Sequence, residues 1–298
     1  MKAAKGLQRE RLKELLDRFY YGHEFTSMIS RDPIEFPHRY RRPEDIEVVG
    51  FISSCFAYGK VGLFKPVVEK ILSLMGNNPS GFLADFDVKR HQQQFTFTYR
   101  FSDREDILCL FHILHELLKR HGSIESAFME RLLCGGGEIG KGIEGFVDEI
   151  LMIDTSPVYG KMKYPHGLTH FFPSPRKGSA CKRMNLFLRW MVRDKDIDFG
   201  IWRGIPKDRL VIPLDTHIGR ISRCLRFTER QSSDWKAAVE ITEVLKSFDP
   251  EDPLKYDFVL CHHGIAGVCR QGNGKGCAEC VLSVFGTCRQ PRSHTMVK

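Results

Sequence analysis

The chain has 298 residues with a net charge of +8, and its hydrophobic and charged fractions of 42% and 28% are those of an ordinary globular protein. That balance excludes disorder over most of the length, and the size is ample for a substantial core without disulfides. No apolar run reaches bilayer-spanning length, and the N-terminal MKAAKGLQRERLKELL reads as a charged helix rather than a secretory h-region, so a cytoplasmic location is expected. The basic balance favours a polyanionic partner, because clustered Lys and Arg gain affinity by releasing counterions from phosphates.

Helical periodicity runs along almost the whole chain. Apolar residues recur at three- and four-residue intervals over 6–20, 44–58, 64–75, 105–120, 124–133, 143–153, 182–193, 215–226, 234–247 and 254–268. Strand-like alternation occurs only in QFTFTYRF, up to Phe101, which fits an extended segment or part of a helix equally. Breakers fall between the helical runs, at Asp32-Pro33, Gly76 to Pro79, Cys134 to Gly137, Pro165 to Gly178 and Gly204 to Pro213. The expected fold class is all-α. Residues 156–181 form the longest Pro/Gly-rich, basic and aromatic connection, and loops of that length in a compact domain are usually functional or mobile.

In KRMNLFLRWMVR, 182–193, Met184, Phe187, Leu188 and Met191 fall on one side of a helix, with Lys182, Asn185, Arg189 and Arg193 opposite. That second side reads as a cationic stripe. Further on, VIPLDTHIGRISRCLRF announces a new helix: Asp215 is placed to cap it, and Ile218, Ile221 and Leu225 form its buried side. A cap and a catalytic role are compatible, since the positive end of the helix dipole keeps a carboxylate ionised. Phe171, Phe172, Trp190 and Trp202 are expected in the core.

Of ten cysteines, five crowd the end of the chain. Cys269, Cys277, Cys280 and Cys288 form C-x7-C-x2-C-x7-C, in which a central pair grips one metal centre and the outer two close the site. Four thiolates suit zinc or an iron–sulfur cluster alike. His262 and His263 are near enough in sequence to be alternative ligands, but a helix-surface or capping role is expected for both, and Cys261 is expected inside its helix.

On PLDTHIGRISRCLRF, LCHHGIAGVC and the cysteine array, in that order, the chain resembles the helix-hairpin-helix/GPD DNA glycosylase superfamily, the group containing endonuclease III. Through DPIEFPHRYRRPEDIEVVGFISSCFAYGK, KRMNLFLRWMVR and PLDTH it also resembles a bacterial family known as a domain of unknown function, within or near that superfamily. The resemblance implies a two-lobed helical glycosylase-like fold with a C-terminal four-cysteine loop. It divides the chain into an N-terminal helix and arm over 1–43 packing on the second lobe, a helical lobe with the site over 44–226, and C-terminal helices with the cysteines over 227–298.

The implied activity is base excision on double-stranded DNA by a glycosylase/AP lyase, acting on a damaged base, with oxidised bases among the candidates. Asp215 would be the catalytic carboxylate and the four cysteines would hold a 4Fe-4S cluster, with zinc as the alternative. The usual hairpin is replaced by PSPRKGSACKR, and Lys182, 33 residues before Asp215, takes the place of the Schiff-base lysine. That spacing is similar to the archaeal 8-oxoguanine glycosylase branch, with Lys177 in reserve. Tyr58, Lys60, Arg176, Lys177, Gly178, Arg189 and His217 are the expected DNA contacts. A monomer is expected, nucleoid-associated if it binds DNA. The competing readings are a non-catalytic nucleic-acid-binding protein of the same fold and a metal or redox sensor.

Overall fold

The computed structural model describes residues 2–266 and 280–285, with side chains from residue 9 onward. Among these residues the regular structure is entirely helical, apart from one isolated antiparallel bridge between Tyr99 and Ser102. Helices of nine residues or more are α1 (Lys2–Tyr21), α2 (Pro43–Phe56), α3 (Val61–Met75), α4 (Arg104–His121), α5 (Ile124–Cys134), α6 (Ile139–Ile150), α7 (Lys182–Val192), α8 (Thr216–Cys224), α9 (Trp235–Lys246) and α10 (Asp257–Ile265). None of the described helices is long and apolar enough to cross a membrane.

The chain forms two compact units, one of residues 1–24 with 210–298 and the other of residues 25–209. In the first, α1 is tied to the start of α10 through Asp17. Its carboxylate accepts from Lys13 Nζ at 2.7 Å, Lys255 Nζ at 2.9 Å and Tyr256 Oη at 2.6 Å. Burial opposes the charge, but the three donors outweigh it and draw the carboxyl down to about 2.

In the second unit α2 is the central element, with every residue from Asp45 to Phe56 buried. Pro43 at its first position and Glu44 and Asp45 in its first turn suit a helix N-terminus. Phe51 meets Phe187 of α7 edge-on, with ring centroids 5.2 Å apart. Asp103 and Asp106 form a reciprocal capping box at the start of α4, and Gly122 ends it in the left-handed region. α6 begins at Ile139, earlier than periodicity predicts and just past the breaker at Cys134 to Gly137. The reason is packing: a Cβ on Gly142 would lie 3.0 Å from Leu132 Cδ1, so glycine lets α5 and α6 approach closely.

The segment before α4 is extended. Phe95, Phe97 and Tyr99 are buried while Thr96, Thr98 and Arg100 are exposed, so the period-two pattern marks one side packed on the core, with Phe95 4.9 Å from Phe111. The connection over 156–181 is held down at several points. Tyr159 Oη donates to Asp106 at 2.8 Å, Ser102 Oγ to the Gly167 carbonyl at 2.8 Å, and His112 Nε2 to the Asp154 carbonyl at 2.8 Å. Phe171, Phe172, Trp190 and Trp202 are core residues, as expected.

α7 departs from its expected amphipathicity, because Arg183 to Val192 are all buried and so is Arg193. The cationic stripe therefore does not face solvent, and Arg189 is corrected from a DNA contact to a buried structural residue. The acidic run that follows explains the burial: Arg193 Nη1 lies 2.5 Å and Arg189 Nη2 3.3 Å from the two carboxylate oxygens of Asp198, and Asn185 Nδ2 donates to the Ala180 carbonyl at 3.1 Å. Buried guanidiniums are tolerated where a carboxylate meets them. Asp198→Asn leaves two arginines without full countercharge and is expected to lower stability by about 3–5 kcal/mol in urea unfolding. The exposed-site control Arg41→Ala should change it by less than about 0.5 kcal/mol; equal effects would count against this account.

Candidate functional site

A helix C-terminus leaves carbonyls without intrahelical donors, and cations are favoured there. At the end of α2 those donors come from the first two residues of α7. Lys182 Nζ donates to the Ala57 carbonyl at 3.1 Å, and Arg183 Nη1 to the Cys55 carbonyl at 2.9 Å. Arg183 also donates to the His170 carbonyl, and its guanidinium lies 4.9 Å from the Tyr58 ring centroid. α7 starts without a side-chain cap, since Cys181 precedes it in the left-handed region at φ +49°.

Around this junction lies an aromatic and cationic cluster. Tyr58 and Tyr99 exchange hydroxyl-to-carbonyl bonds, their ring centroids 4.8 Å apart. Gly59 stands between Tyr58 and Lys60 at φ +84°, where a Cβ would collide with the Arg100 guanidinium. Arg100 lies 5.8 Å from both the Tyr58 and Phe101 ring centroids. Phe101 is exposed, with His170 and His166 rings 5.0 and 5.8 Å from it. Burial, followed by the positive charges of Arg183, His166 and Arg100, lowers the His170 pKa to about 4.

The structure thus brings together Lys182, Tyr58 and the flanking Lys60, which is exposed and precedes α3. Among the described residues Lys182 has no ion-pair partner, and its hydrogen bond goes to a neutral carbonyl. Arg176 is engaged elsewhere, 2.9 Å from Asp148 and 3.7 Å from Glu144. Lys177 is exposed, and Gly178 adopts φ +77° after the turn Pro175–Lys177. Arg183, Tyr99, Arg100, Phe101, His166 and His170 were missed in the sequence reading. The signal available was the i, i+4 histidine pair in HGLTH, which puts both rings on one side of a helical turn. A separate cavity of about 770 Å³ is walled by α2, α4 and α5, and none of these residues lines it. Its buried Glu47 is occupied, accepting from Ile124 N at 3.0 Å, Glu125 N at 2.8 Å and Trp202 Nε1 at 2.9 Å.

In the other unit Asp215 caps α8, and the division of labour between its oxygens matters. Oδ1 accepts from both His217 N and Ile218 N at 2.8 Å, while Oδ2 faces Cys261 Sγ of α10 at 3.6 Å. His217 is half-buried, its Nδ1 3.2 Å from Arg220, which also donates to the Gly264 carbonyl at 3.3 Å. Cys261 is only partly buried.

Cys269, Cys277 and Cys288 lie outside the described residues. Cys280 is buried, with His263 Nε2 3.4 Å from its sulfur. The surface role expected for His262 is corrected, since it is buried against Phe258 at 4.2 Å between centroids; His263 is partly exposed, and partial burial lowers its pKa. Hydrophobic residues on the preceding turn of α10 account for this. Among the described residues no group of three or more His, Cys, Asp or Glu could hold a metal.

His170 gives a direct check on the cluster. Its folded pKa is depressed below the usual 6.5, so its contribution to stability is present above about pH 6.5 and fades as pH falls through about 4. In an NMR titration the ring should show a midpoint near 4, moving upward in Arg100→Ala; a wild-type midpoint at 6 or above would refute the described environment.

No curated protein and no solved structure matches the chain. The family described as a protein of unknown function (DUF2400) matches residues 32–266, from the segment before α2 to the end of α10 and short of Cys269. That span is well over half of the sequence, and the chain is accordingly a member of the DUF2400 family.

Proposed function

We propose that the protein is a DNA glycosylase with AP-lyase activity, of the helix-hairpin-helix/GPD type and with its two-lobed fold. The observation that carries this reading is the placement of Lys182: a primary amine at the start of α7 that donates to the neutral Ala57 carbonyl, the residue before Tyr58, and precedes Arg183, whose guanidinium lies on the Tyr58 ring. The cations and aromatic rings around it suit a phosphodiester strand and its bases.

In this reading the Lys182 nitrogen attacks C1′ of the flipped nucleotide as the bond to the base breaks, the base leaving with a proton. Breaking of the C1′–O4′ bond, with a proton delivered to O4′, opens the sugar to a Schiff base whose 2′ hydrogen is acidic, and loss of that hydrogen as a proton expels the 3′ phosphate by β-elimination. Asp215 takes up the lysine proton or stabilises positive charge on the sugar, for which Oδ2 is the oxygen not used in capping. The two residues stand in different compact units, and assigning both to one reaction rests on the resemblance of KRMNLFLRWMVR and PLDTH.

Cys269, Cys277, Cys280 and Cys288 are proposed to hold a 4Fe-4S cluster, with zinc as the alternative. Supporting this are the spacing of the four and the burial of Cys280 at the end of the segment that follows α10. Such a group would act as a structural clasp, adding folding energy to the C-terminal segment.

Borohydride trapping on an abasic duplex tests the chemistry. Wild type should give a covalent adduct, Lys182→Ala none, and Lys177→Ala the wild-type amount, while Asp215→Asn should slow trapping roughly 10²–10⁴-fold. Absence of an adduct with abasic and 8-oxoguanine duplexes, alongside salt-dependent DNA binding, would leave a non-catalytic DNA-binding protein. Metal analysis of the purified protein should find iron with visible absorption, and Cys280→Ser should reduce it; neither iron nor zinc in wild type would remove the clasp.

A further inference from the structure

Arg100 and Phe101 occupy the tip of a two-residue turn, closed by Tyr99 N to Ser102 O and Ser102 N to Tyr99 O, each at 2.9 Å. Such tips favour Gly or Asn, because the first tip residue has positive φ. Here it is Arg100, at φ +53°. The strained residue is an arginine, and its neighbour is an aromatic ring left 55% exposed. The turn is anchored rather than loose. Tyr99 is buried and bonded to Tyr58, and Ser102 is buried and bonded to Gly167.

His170 and His166 meet the ring edge-to-face at 5.0 and 5.8 Å, the Arg100 guanidinium lies 5.8 Å from its centroid, and the residue remains 55% exposed. His170 is held neutral and therefore presents an aromatic surface rather than a charge. The nearby cations are Arg100 at the tip and Arg183, which lies on the Tyr58 ring and donates to the His170 carbonyl. A flat apolar face flanked by guanidinium groups matches a nucleobase and its phosphate, whereas a purely aliphatic partner would leave the cations unmatched.

We propose that Phe101 is a stacking platform for an unpaired base of a DNA strand, with Arg100 holding the adjoining phosphate. This rests on the reading of the protein as DNA-binding, and it makes an unpaired or distorted site, rather than regular duplex, the preferred ligand. A base inside an intact duplex has both faces covered by its neighbours and cannot use the ring; an unpaired base can.

The test compares anisotropy titrations with two oligonucleotides, a fully paired duplex and the same duplex with a single unpaired base. Wild type should prefer the second. Phe101→Ala should weaken binding to the unpaired-base duplex roughly 5- to 100-fold, leave binding to the paired duplex unchanged, and abolish the preference. Phe101→Trp should preserve it. Arg100→Ala should weaken both and reduce the salt dependence by about one phosphate contact. Because Phe101 is exposed, unchanged thermal unfolding of Phe101→Ala checks that the fold is intact.

Equal binding of both duplexes by wild type, or an unaltered preference in Phe101→Ala, overturns the platform. The outcome is separable from that of the lyase proposal. Lys182→Ala should keep the preference while losing the trapped adduct, and a preference that survives where wild type gives no adduct removes the chemistry and leaves the platform. An adduct formed by a wild type with no preference removes the platform and leaves the chemistry.

Discussion

The carbonyls at the end of α2 need donors, because burial has removed the water that would otherwise satisfy them. Lys182 and Arg183 supply those donors from the first turn of α7. One contact thereby sets the register of α7 against α2, directs the Lys182 amine to the exit of α2, and fixes Tyr58 under a guanidinium. Tyr58 in turn holds Tyr99, which holds the turn carrying Arg100 and Phe101. The candidate surface is thus a consequence of how two buried helices meet.

The same helix shows how a charged sequence can be buried. α7 carries arginines at both ends, and each finds a specific partner: carbonyl oxygens for Arg183, the Asp198 carboxylate for Arg189 and Arg193. Desolvating a guanidinium is costly, and geometry that satisfies its fork of donors offsets much of that cost. With its other side packed on Phe51 through Phe187, α7 is a rigid support. Rigidity of this kind is what a reactive or ligand-holding group at its first turn requires.

In the other unit the cap of α8 plays the corresponding role. Asp215 spends one oxygen on two main-chain N–H groups, which fixes the carboxylate and leaves the second oxygen pointed at α10. α10 is also where His262 is buried and where His263 reaches Cys280. The cap, the helix behind it and Cys280 are therefore connected through short contacts within one unit.

Local chemistry was legible in the chain itself. Helical periods, the Asp215 cap, the aromatic core residues and the alternation over 95–100 follow from short-range rules of spacing and capping, and all are found. What residues many positions apart do to one another was decided only in three dimensions. Arg189 looked like a surface cation because its stripe is polar, yet Asp198 neutralises it in the interior. Gly142 precedes the expected start of its helix, yet it lies inside α6 and admits a neighbouring helix. Phe101 and Arg100 gave no signal, since their meaning depends on His166, His170, Tyr58 and Arg183 arriving from distant segments. Periodicity reports which side of an element is apolar; whether a charge meets water or a buried partner depends on long-range contacts that periodicity does not encode.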